Sequence, residues 1–446
     1  MVREDCSGRS VRRAKTFSHK TGSEALYKMM VYLLLIAFLI GGGWFLCDHL
    51  GGKKMEWTYL LISGAAFVAI ATLRYSIGFD YFSYQTIFED IAALPGWKEV
   101  LEYGASYPLF AILNRLVAMV GGSYHILLLV CNLIMTALVL WVVYRWSCNK
   151  WLSLLLYVTM QFFPHSMNLL RQSMAAFILF AGYGLLRRKK FIPYLLLVLV
   201  AAGFHTSALV MIPCYFLLNL PFNWYLVGAY AAATLIGYVA YQPLIEFVTT
   251  YIFPQYAMYL DSIYATANGL SYVVVPAIYF LCVALFANRL LKRDPRSSIL
   301  IYSSLFTFIL YIFITRMFIL ERLSVYFFPL IMLVVPEMVD TFQVDSLNQE
   351  ELNKKDKHTA RKQMAQVKEQ KFYRNWALVT AVLLSLLYFS FAYVRGFHKA
   401  YPYISIFEKE KAVSNDDYLF SDIRTADDLA DQQIPLESDE ITVQGS

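Results

Sequence analysis

The chain has 446 residues, of which 59% are hydrophobic and only 16% are charged. Soluble domains carry about a quarter charged residues, so this composition excludes an ordinary soluble protein. The net charge of +6 comes from lysines and arginines that lie between apolar runs, which is typical of a membrane-orientation signal, and no nucleic acid is expected as a partner.

The apolar residues form many separate runs of membrane-spanning length. Helices satisfy their own backbone hydrogen bonds in lipid, so the sequence predicts an all-α, polytopic integral membrane protein. We predict about twelve or thirteen membrane segments, at approximately Tyr27–Cys47, Trp57–Leu73, Tyr107–Val120, Tyr124–Tyr144, Trp151–Phe163, Ser173–Leu186, Phe191–Phe204, Ser207–Leu220, Trp224–Tyr241, Tyr272–Leu291, Ile299–Ile314, Leu323–Val339 and Trp376–Val394.

The chain divides into three parts. Residues 1–26 are a basic, polar lead without a signal-peptide core, so we expect the first apolar run to stay in the membrane. Residues 27–394 form the membrane domain, with a charged loop at 341–375 in which Ser346 and Gln349 have capping-box spacing and predict a helix. Residues 395–446 are acidic and predicted to be disordered.

Four consecutive segments in the middle of the chain, between Trp151 and Leu220, are short for a hydrocarbon layer of ~30 Å. We expect some of them to be tilted, broken or re-entrant around an outward-facing polar cavity.

Four basic clusters lie between the segments: Arg145 with Lys150, then 187–190, then 289–296, then 354–374. Even numbers of segments separate them, so all four can be cytoplasmic together. One ambiguity remains at the amino end. If Tyr107–Val120 spans the membrane, Asp80 is cytoplasmic; if it is re-entrant or interfacial, Asp80 faces outward and Lys53 faces inward.

The stretch Arg74–Tyr84 places an arginine, a glycine, an aspartate and several tyrosines where an apolar run ends. Such a polar cluster at the membrane boundary suits substrate capture or catalysis by Arg74, Asp80 and Tyr84. A tyrosine belt with a terminal arginine is also a common interface anchor.

A second polar stretch runs from Pro164 to Gln172. Helical spacing predicts that His165, Asn168 and Gln172 lie along one stripe with Arg171 beside it, facing a cavity. Arg171 suits binding of a phosphate or carboxylate through its planar fork. The alternative is an arginine that snorkels or pairs with a carboxylate to stabilise packing.

Two further groups fall on the same predicted side. His205 follows an apolar run and precedes Thr206 and Ser207, where a histidine is available for acid–base chemistry or is a hydrogen-bonded structural residue. Arg316, Glu321 and Arg322 form a third charged group. Glu321 and Arg322 are sequence neighbours and cannot face one another on a helix, so each is expected to have a partner elsewhere.

No phosphate-binding glycine loop, no nucleophile elbow and no metal-type spacing of histidine and cysteine is evident. The six cysteines stand singly and show no disulfide framework. No cofactor is therefore expected.

Three motifs carry a family resemblance. The run Arg74 to Tyr84, with Gly78, Asp80 and Tyr81, resembles the Arg-x-x-x-Gly-x-Asp-Tyr-x-x-Tyr signature of EpsG-type, Wzy-like polysaccharide polymerases. The runs 170–175 and 202–208 are similar to the next two marks of that family, in the same order. The resemblance covers about residues 27–394. The basic lead, the 340–375 loop and the acidic tail depart from it, as does Phe79, where the family usually has threonine.

The resemblance implies an enzyme that polymerises undecaprenyl-diphosphate-linked repeat units at the outer face of the bacterial cytoplasmic membrane. It implies an outward Asp80 and a Tyr107–Val120 segment that does not span. His205, Asp80 and Arg171 would then be catalytic, and the substrate-binding residues would be Arg74, Tyr84, His165, Asn168, Gln172, Arg316, Glu321 and Arg322.

The expected partners are the lipid-linked glycan, membrane lipids, and a chain-length regulator and flippase of the same pathway. Three competing functions use similar residues: an O-antigen-ligase-like or other lipid-sugar transferase, a lipid-linked glycan transporter, and a membrane O-acyltransferase. The transporter predicts a polar path through both leaflets, whereas the acyltransferase predicts a thioester donor.

Overall fold

A computed structural model describes residues 29–252, 269–317, 320–342 and 357–408, with side chains of the last range described from Met364 onward. These residues fold into helices joined by short connections. The helices are α1 Met29–Leu50, α2 Lys53–Thr72, α3 Tyr81–Ala93, α4 Trp97–Tyr103, α5 Pro108–Met119, α6 Tyr124–Trp146, α7 Lys150–Thr159, α8 Phe162–Asn168, α9 Leu170–Ala181, α10 Tyr183–Arg187, α11 Phe191–Ala202, α12 Met211–Leu218, α13 Trp224–Val239, α14 Tyr241–Phe247, α15 Ser271–Arg293, α16 Ser298–Ile314, α17 Glu321–Ser324, α18 Ile331–Asp340 and α19 Lys357–Val394.

The predicted all-α membrane fold is confirmed. Seven helical stretches in the described part of the chain are long and apolar enough to cross a membrane, and an eighth is added if α13 and the following helix, which meet at 86°, form one broken span. The seven are Met29–Leu50, Lys53–Thr72, Tyr124–Trp146, Ser271–Arg293, Pro295–Ile314, Glu321–Asp340 and Met364–Val394.

Three ion pairs collect at one end of the bundle, which we call the basic end: Lys150–Glu56, Arg187–Asp294 and Arg293–Asp340. The rings of Phe342 and Tyr373, 6.4 Å apart, bring the charged part of α19 to the same end. The described parts of the four basic clusters therefore lie together, as the even spacing of segments predicts. The positive-inside rule assigns this end to the cytoplasm.

The connection between α2 and α6 begins and finishes at the opposite end. The Tyr124 hydroxyl at the start of α6 donates to the Tyr81 carbonyl at the start of α3, over 3.0 Å. Helices α3, α4 and α5 thus leave and return without reaching the basic end, and Arg115 of α5 donates to the carbonyls of Ile91 and Ala92. Because the twelve residues of α5 do not cross, the structure favours the arrangement in which Tyr107–Val120 fails to span.

The four short central segments do run between the two ends, in broken pieces. Gln161 has a left-handed conformation, with φ of 71°, and separates α7 from α8. The Trp146 and Tyr183 rings contact at the basic end, 5.5 Å apart, whereas the Leu109 amide donates to the Gly203 carbonyl at the opposite end. By length and composition the described residues contain seven membrane-spanning stretches, or eight with the bent pair, which is fewer than the twelve or thirteen segments predicted.

The predicted disorder of the tail does not begin at residue 395. Residues 396–408, which we call the C-terminal strap, fold back onto the end of α2. The Tyr75 amide donates to the Ile404 carbonyl over 2.8 Å, and the Ile406 amide donates to the Leu73 carbonyl over 2.8 Å. The basic lead, Ser346, Gln349 and the remainder of the tail lie outside the described residues, and α19 confirms a helix in the second half of the charged loop.

Candidate functional site

The centre of the bundle is almost completely buried. From Trp151 to Phe180 every residue is buried except His165 and Arg171. Both exceptions lie at the end opposite the basic end, where α8 gives way to α9. A partly exposed arginine in an otherwise buried stretch marks this end of the bundle as the candidate functional site.

Arg171 lies in the first turn of α9, above two aromatic rings. Its guanidinium carbon is 4.2 Å from the centre of the Tyr107 ring and 5.6 Å from that of Tyr84. The Nε atom is buried and has no hydrogen-bond partner within the described residues. The amino terminus of a helix favours an anion, so this partly exposed guanidinium at the start of α9 can bind a phosphate group.

Asp80 is placed beside Arg171 by the loop between α2 and α3. It immediately precedes α3, and its side chain does not cap that helix. Partial burial raises the pKa of Asp80 above its ordinary value of 3.8, and the nearby charges of Arg322 and Arg171 oppose this rise. The carboxylate therefore lies close enough to both arginines for their charges to act on it.

A glycine and an asparagine hold the loop that carries Asp80. Gly78 has φ of 93°, and a Cβ atom there would lie 2.8 Å from the Cα of Asn168 and 3.0 Å from the Met167 carbonyl oxygen. Next to it, the Phe79 amide donates to Oδ1 of Asn168 over 2.8 Å. Asn168 is buried and acts as an anchor for the loop, which differs from its predicted contact with substrate.

Arg74 has a similar structural position. Its side chain is fully buried, with Nη2 donating to the Met167 carbonyl over 3.1 Å and Nη1 donating to the Ala71 carbonyl. It joins the end of α2 to the turn between α8 and α9. The predicted contact between Arg74 and substrate does not fit this burial, because the guanidinium serves to satisfy backbone carbonyls.

His205 begins the short helical turn Thr206–Val210. Its Nδ1 atom lies 2.7 Å from Oγ of Ser207, which lies 2.8 Å from the Tyr326 hydroxyl. Burial, helped by the charges of Arg171 and Arg322, lowers the pKa of His205 to about 3. The ring is therefore neutral at physiological pH.

The hydrogen bonds that Nδ1 of His205 makes with Ser207 determine whether Nε2, the other ring nitrogen, is a hydrogen-bond donor or an acceptor. The Ser207 amide donates to Nδ1 over 3.4 Å, so Nδ1 is an acceptor and the proton of the neutral ring lies on Nε2. Nε2–H is then a hydrogen-bond donor that can orient a sugar hydroxyl by donating to its oxygen.

Arg322 is brought into the site by Gln172. The Gln172 side-chain nitrogen donates to the Arg322 carbonyl over 2.5 Å and so ties α17 to α9. The charge of Arg322 acts on both Asp80 and His205. Gln172 is buried, so it holds Arg322 in place and is not exposed for the predicted contact with substrate.

The predicted stripe of His165, Asn168 and Gln172 is interrupted. The helix breaks at Leu169, where φ is −102° and ψ is 66°, so the three side chains take different directions. Nδ1 of His165 lies 3.1 Å from Oγ of Ser173, and its ring contacts His398 of the strap at 4.9 Å. The stripe was inferred from an unbroken helix, which the backbone does not form.

The structure places the three residues of the third predicted charged group, Arg316, Glu321 and Arg322, in different surroundings. Arg322 joins Asp80 and Arg171, but Glu321 lines a separate cavity of about 40 Å³ with Tyr311 and Tyr388. Arg316 is exposed and lies over the Tyr238 ring at 4.5 Å. Glu321 and Arg322 thus have different surroundings, as their adjacency predicts, and the structure does not bring Glu321 or Arg316 to the site.

Three residues at the site were not identified from the sequence. Tyr107 was regarded only as the start of a segment, and Ser207 and Tyr326 were not singled out. The position of Ser207 two residues after His205 could have indicated a local hydrogen bond, since serine hydroxyls often bond nearby groups at helix starts. Tyr326 lies 119 residues further along the chain, and no local signal connects it with His205.

The family model for the EpsG family matches residues 57–347, which is more than half of the chain. The chain belongs to the EpsG family. The match includes Asp80, Arg171, His205 and Arg322, whereas the C-terminal strap lies beyond it. No curated protein and no solved structure matches the sequence. Membership of the EpsG family is consistent with a polysaccharide polymerase-type role for this multi-pass membrane protein.

Proposed function

We propose that this EpsG-family protein polymerises oligosaccharide repeat units carried on undecaprenyl diphosphate. The observation that carries the proposal is the grouping of Arg171, Arg322, Asp80 and His205 at one end of the bundle. Two cations suit a diphosphate, and a carboxylate with a neutral imidazole suits a sugar hydroxyl. These are the groups that a glycosyl transfer from a lipid diphosphate requires.

The reaction transfers the growing glycan from its lipid diphosphate to the incoming repeat unit. A hydroxyl oxygen of the incoming sugar forms a bond to the anomeric carbon of the growing chain, while the bond from that carbon to the diphosphate oxygen breaks. The diphosphate leaves with the electron pair, and the hydroxyl proton passes to a base. Arg171 and Arg322 stabilise the negative charge that builds up on the leaving oxygen.

We assign Asp80 as the base and His205 as the residue that orients the acceptor hydroxyl. Asp80 is the stronger candidate because burial raises the pKa of its carboxyl above the ordinary 3.8 against the opposing charges of Arg322 and Arg171, which makes the carboxylate a better proton acceptor than that of a free aspartate. His205, with its pKa lowered to about 3, is a weak proton acceptor in the empty site. A bound diphosphate would offset the charges of Arg171 and Arg322 and so raise the basicity of the imidazole.

The basic end supports an orientation with the site at the outer face of the bacterial cytoplasmic membrane. The substrate would then arrive from a flippase of the same pathway, and a chain-length regulator would act on the product. The site groups gather at one end instead of lining a path through both leaflets, which favours a polymerase over a transporter.

The deciding experiment supplies purified protein with a lipid-linked repeat unit and resolves the products by size. The proposal expects a ladder of lipid-linked glycans from the wild-type protein and a loss of about 100-fold or more in rate for Arg171→Ala. Arg316→Ala is the matched control, because that arginine is exposed and distant from the site. A single transfer to a different acceptor would indicate a ligase, and no extension by the wild-type protein would reject the proposal.

A further inference from the structure

A long apolar groove lies outside the candidate site, between two membrane helices that flank α18. Helices α15 and α19 both pack against α18, and the groove runs between them. Its volume is about 490 Å³, within the range of about 300–1,000 Å³ of ligand pockets. The α15 face contributes Val275, Ile278, Tyr279, Cys282 and Phe286, and the α19 face contributes Ala377, Thr380, Ala381, Leu384, Ser385, Leu387, Tyr388 and Phe391.

The groove has a polar end. Val275, Tyr388 and Phe391 also line the small cavity that contains Glu321 and Arg395, so the two spaces adjoin. An apolar channel that meets charged groups at one end fits an amphiphile, with its chain in the groove and its head at the membrane surface.

The polar end is next to the candidate site along α17, although its cavity is separate from the site. Glu321 lines the cavity at the groove, and the next residue, Arg322, acts on Asp80 and His205. These two adjacent residues of α17 therefore link the groove with the groups that bind the diphosphate in the proposed reaction. A lipid whose chain occupies the groove would bring its head group to this side of the site.

The depth of the groove distinguishes between kinds of lipid chain. From Phe391 to Ala377 the lining of α19 extends over fourteen residue-to-residue steps of helix, or about 21 Å at about 1.5 Å per residue. One leaflet of the hydrocarbon layer is about 15 Å thick. The groove thus continues beyond the reach of a chain confined to one leaflet, which favours a long isoprenoid over a phospholipid acyl chain.

We propose that this groove binds the isoprenoid tail of a lipid-linked glycan, with its diphosphate end toward Arg322. This inference rests on the proposed function for the identity of the head group. The groove itself can be tested with a lipid that carries no sugar.

The experiment measures binding of a long-chain polyprenyl phosphate to the purified protein by native mass spectrometry, with farnesyl phosphate and phosphatidylglycerol as comparison probes. Thr380→Trp fills the deep part of the groove, and Leu384→Trp fills its middle. The matched controls are Val379→Trp and Leu383→Trp, since these neighbours are 48% and 55% exposed but do not line the groove.

We expect Thr380→Trp and Leu384→Trp to weaken binding of the long polyprenyl phosphate by about tenfold or more. The indole would occupy the space of part of the lipid chain, and losing even one methylene contact in an apolar pocket weakens binding by about tenfold or more. The controls should bind as the wild type does, and farnesyl phosphate should be insensitive to Thr380→Trp. Thermal melting of all four variants identifies any that fails to fold.

Equal affinity of groove variants and controls for the long probe would overturn the proposal. An equal loss of phosphatidylglycerol binding would show an ordinary lipid site and would overturn it as well. If the long probe binds in the groove while the wild-type protein extends no glycan, the proposed function fails and the groove assignment stands.

Discussion

The backbone amide of Phe79 donates to Oδ1 of Asn168 over 2.8 Å, and this bond fixes the residue before Asp80 against the turn between α8 and α9. Two motifs that are 89 residues apart in the sequence therefore depend on one contact. The distance between Asp80 and the arginines of the site depends on the same contact. Substitutions here should change the geometry of the site without removing any of its charges.

Asn168→Ala should lower the polymerase activity even though Asp80 and Arg171 are unchanged. The change leaves the Phe79 amide without its acceptor, and because this bond is only partly buried its loss costs about 0.5–1.5 kcal/mol. Asn168→Asp retains an oxygen at this position and is the matched variant. Thermal melting and the extension assay together check the prediction. Equal activity of Asn168→Ala and the wild type would mean that the bond does not position Asp80.

Gly78→Ala should be more harmful than a glycine substitution at another left-handed position. A Cβ atom at Gly78 would meet backbone atoms of Asn168 and Met167 at 2.8 and 3.0 Å, and φ is 93°. Gly52 has φ of 85° but nothing within 4 Å of its Cβ position, so Gly52→Ala reports backbone strain alone. That strain costs about 1 kcal/mol. The melting temperature should fall further for Gly78→Ala, and comparable losses in the two variants would contradict the steric explanation.

The sequence predicted the membrane fold because hydrophobicity and chain length are local properties. The grouping of Lys150, Arg187 and Arg293 at one end also followed from counting segments, since alternation needs no contact information. Arg171 and His205 could be identified because polar groups are rare in apolar runs. The sequence did not show that Leu169 breaks the helix, because its conformation is imposed by tertiary contacts.

The contacts that the polar residues make were harder to predict than their positions in the fold. Arg74, Asn168 and Gln172 were predicted to contact substrate, but their side chains bond to Met167, Phe79 and Arg322. A buried polar side chain and a substrate-binding one look alike in a single sequence, because both interrupt an apolar run. Only the packing shows which donors are already used.

The activity should decline in acid as Asp80 becomes protonated. The ionised carboxylate is the proposed base, and burial raises the pKa of Asp80 above 3.8. The active form is therefore present above the folded pKa of Asp80 and is lost as the pH falls through it. In the empty site the pKa of His205 is about 3, below that of Asp80, so kcat/KM, which reports the free enzyme, should fall with Asp80 and not with His205. The rate of extension measured against pH should show this decline, and Asp80→Asn should abolish activity at every pH.

Ser207→Ala should reduce activity by removing the hydroxyl between His205 and Tyr326. The distances of 2.7 and 2.8 Å form one chain that fixes the orientation of the imidazole. Tyr326→Phe removes only the far hydroxyl and should have a smaller effect, whereas Ser207→Thr keeps the hydroxyl and should recover activity. The extension assay at several acceptor concentrations tests this assignment, which requires a loss in kcat larger than the change in KM.

The C-terminal strap should be needed for activity even though it lies beyond the match to the EpsG family. The Gly78 amide donates to the Lys399 carbonyl, and the Tyr403 hydroxyl donates to the Ile70 carbonyl, so the strap supports the loop of Asp80 from behind. A chain that ends after Glu408 keeps these contacts and should extend glycans as the wild type does. A chain that ends after Arg395 loses them and should be less stable and less active. Full activity of the shorter chain would show that the loop holds its position alone.

Arg322→Ala should lower kcat by about 100-fold, in the range found when one stabilising donor is removed from a developing anion. Its charge acts on Asp80 and His205, and the bond from Gln172 to its carbonyl holds it at the site. Arg316→Ala removes the same charge from a residue six positions away that lies over the Tyr238 ring and outside the site. It should leave kcat within about threefold of the wild type, because surface changes away from such features cost within about 0.5 kcal/mol. Because both variants lose one positive charge at the same end of the bundle, a general electrostatic effect would lower both rates alike. A selective loss in Arg322→Ala would instead locate the stabilised charge beside Asp80.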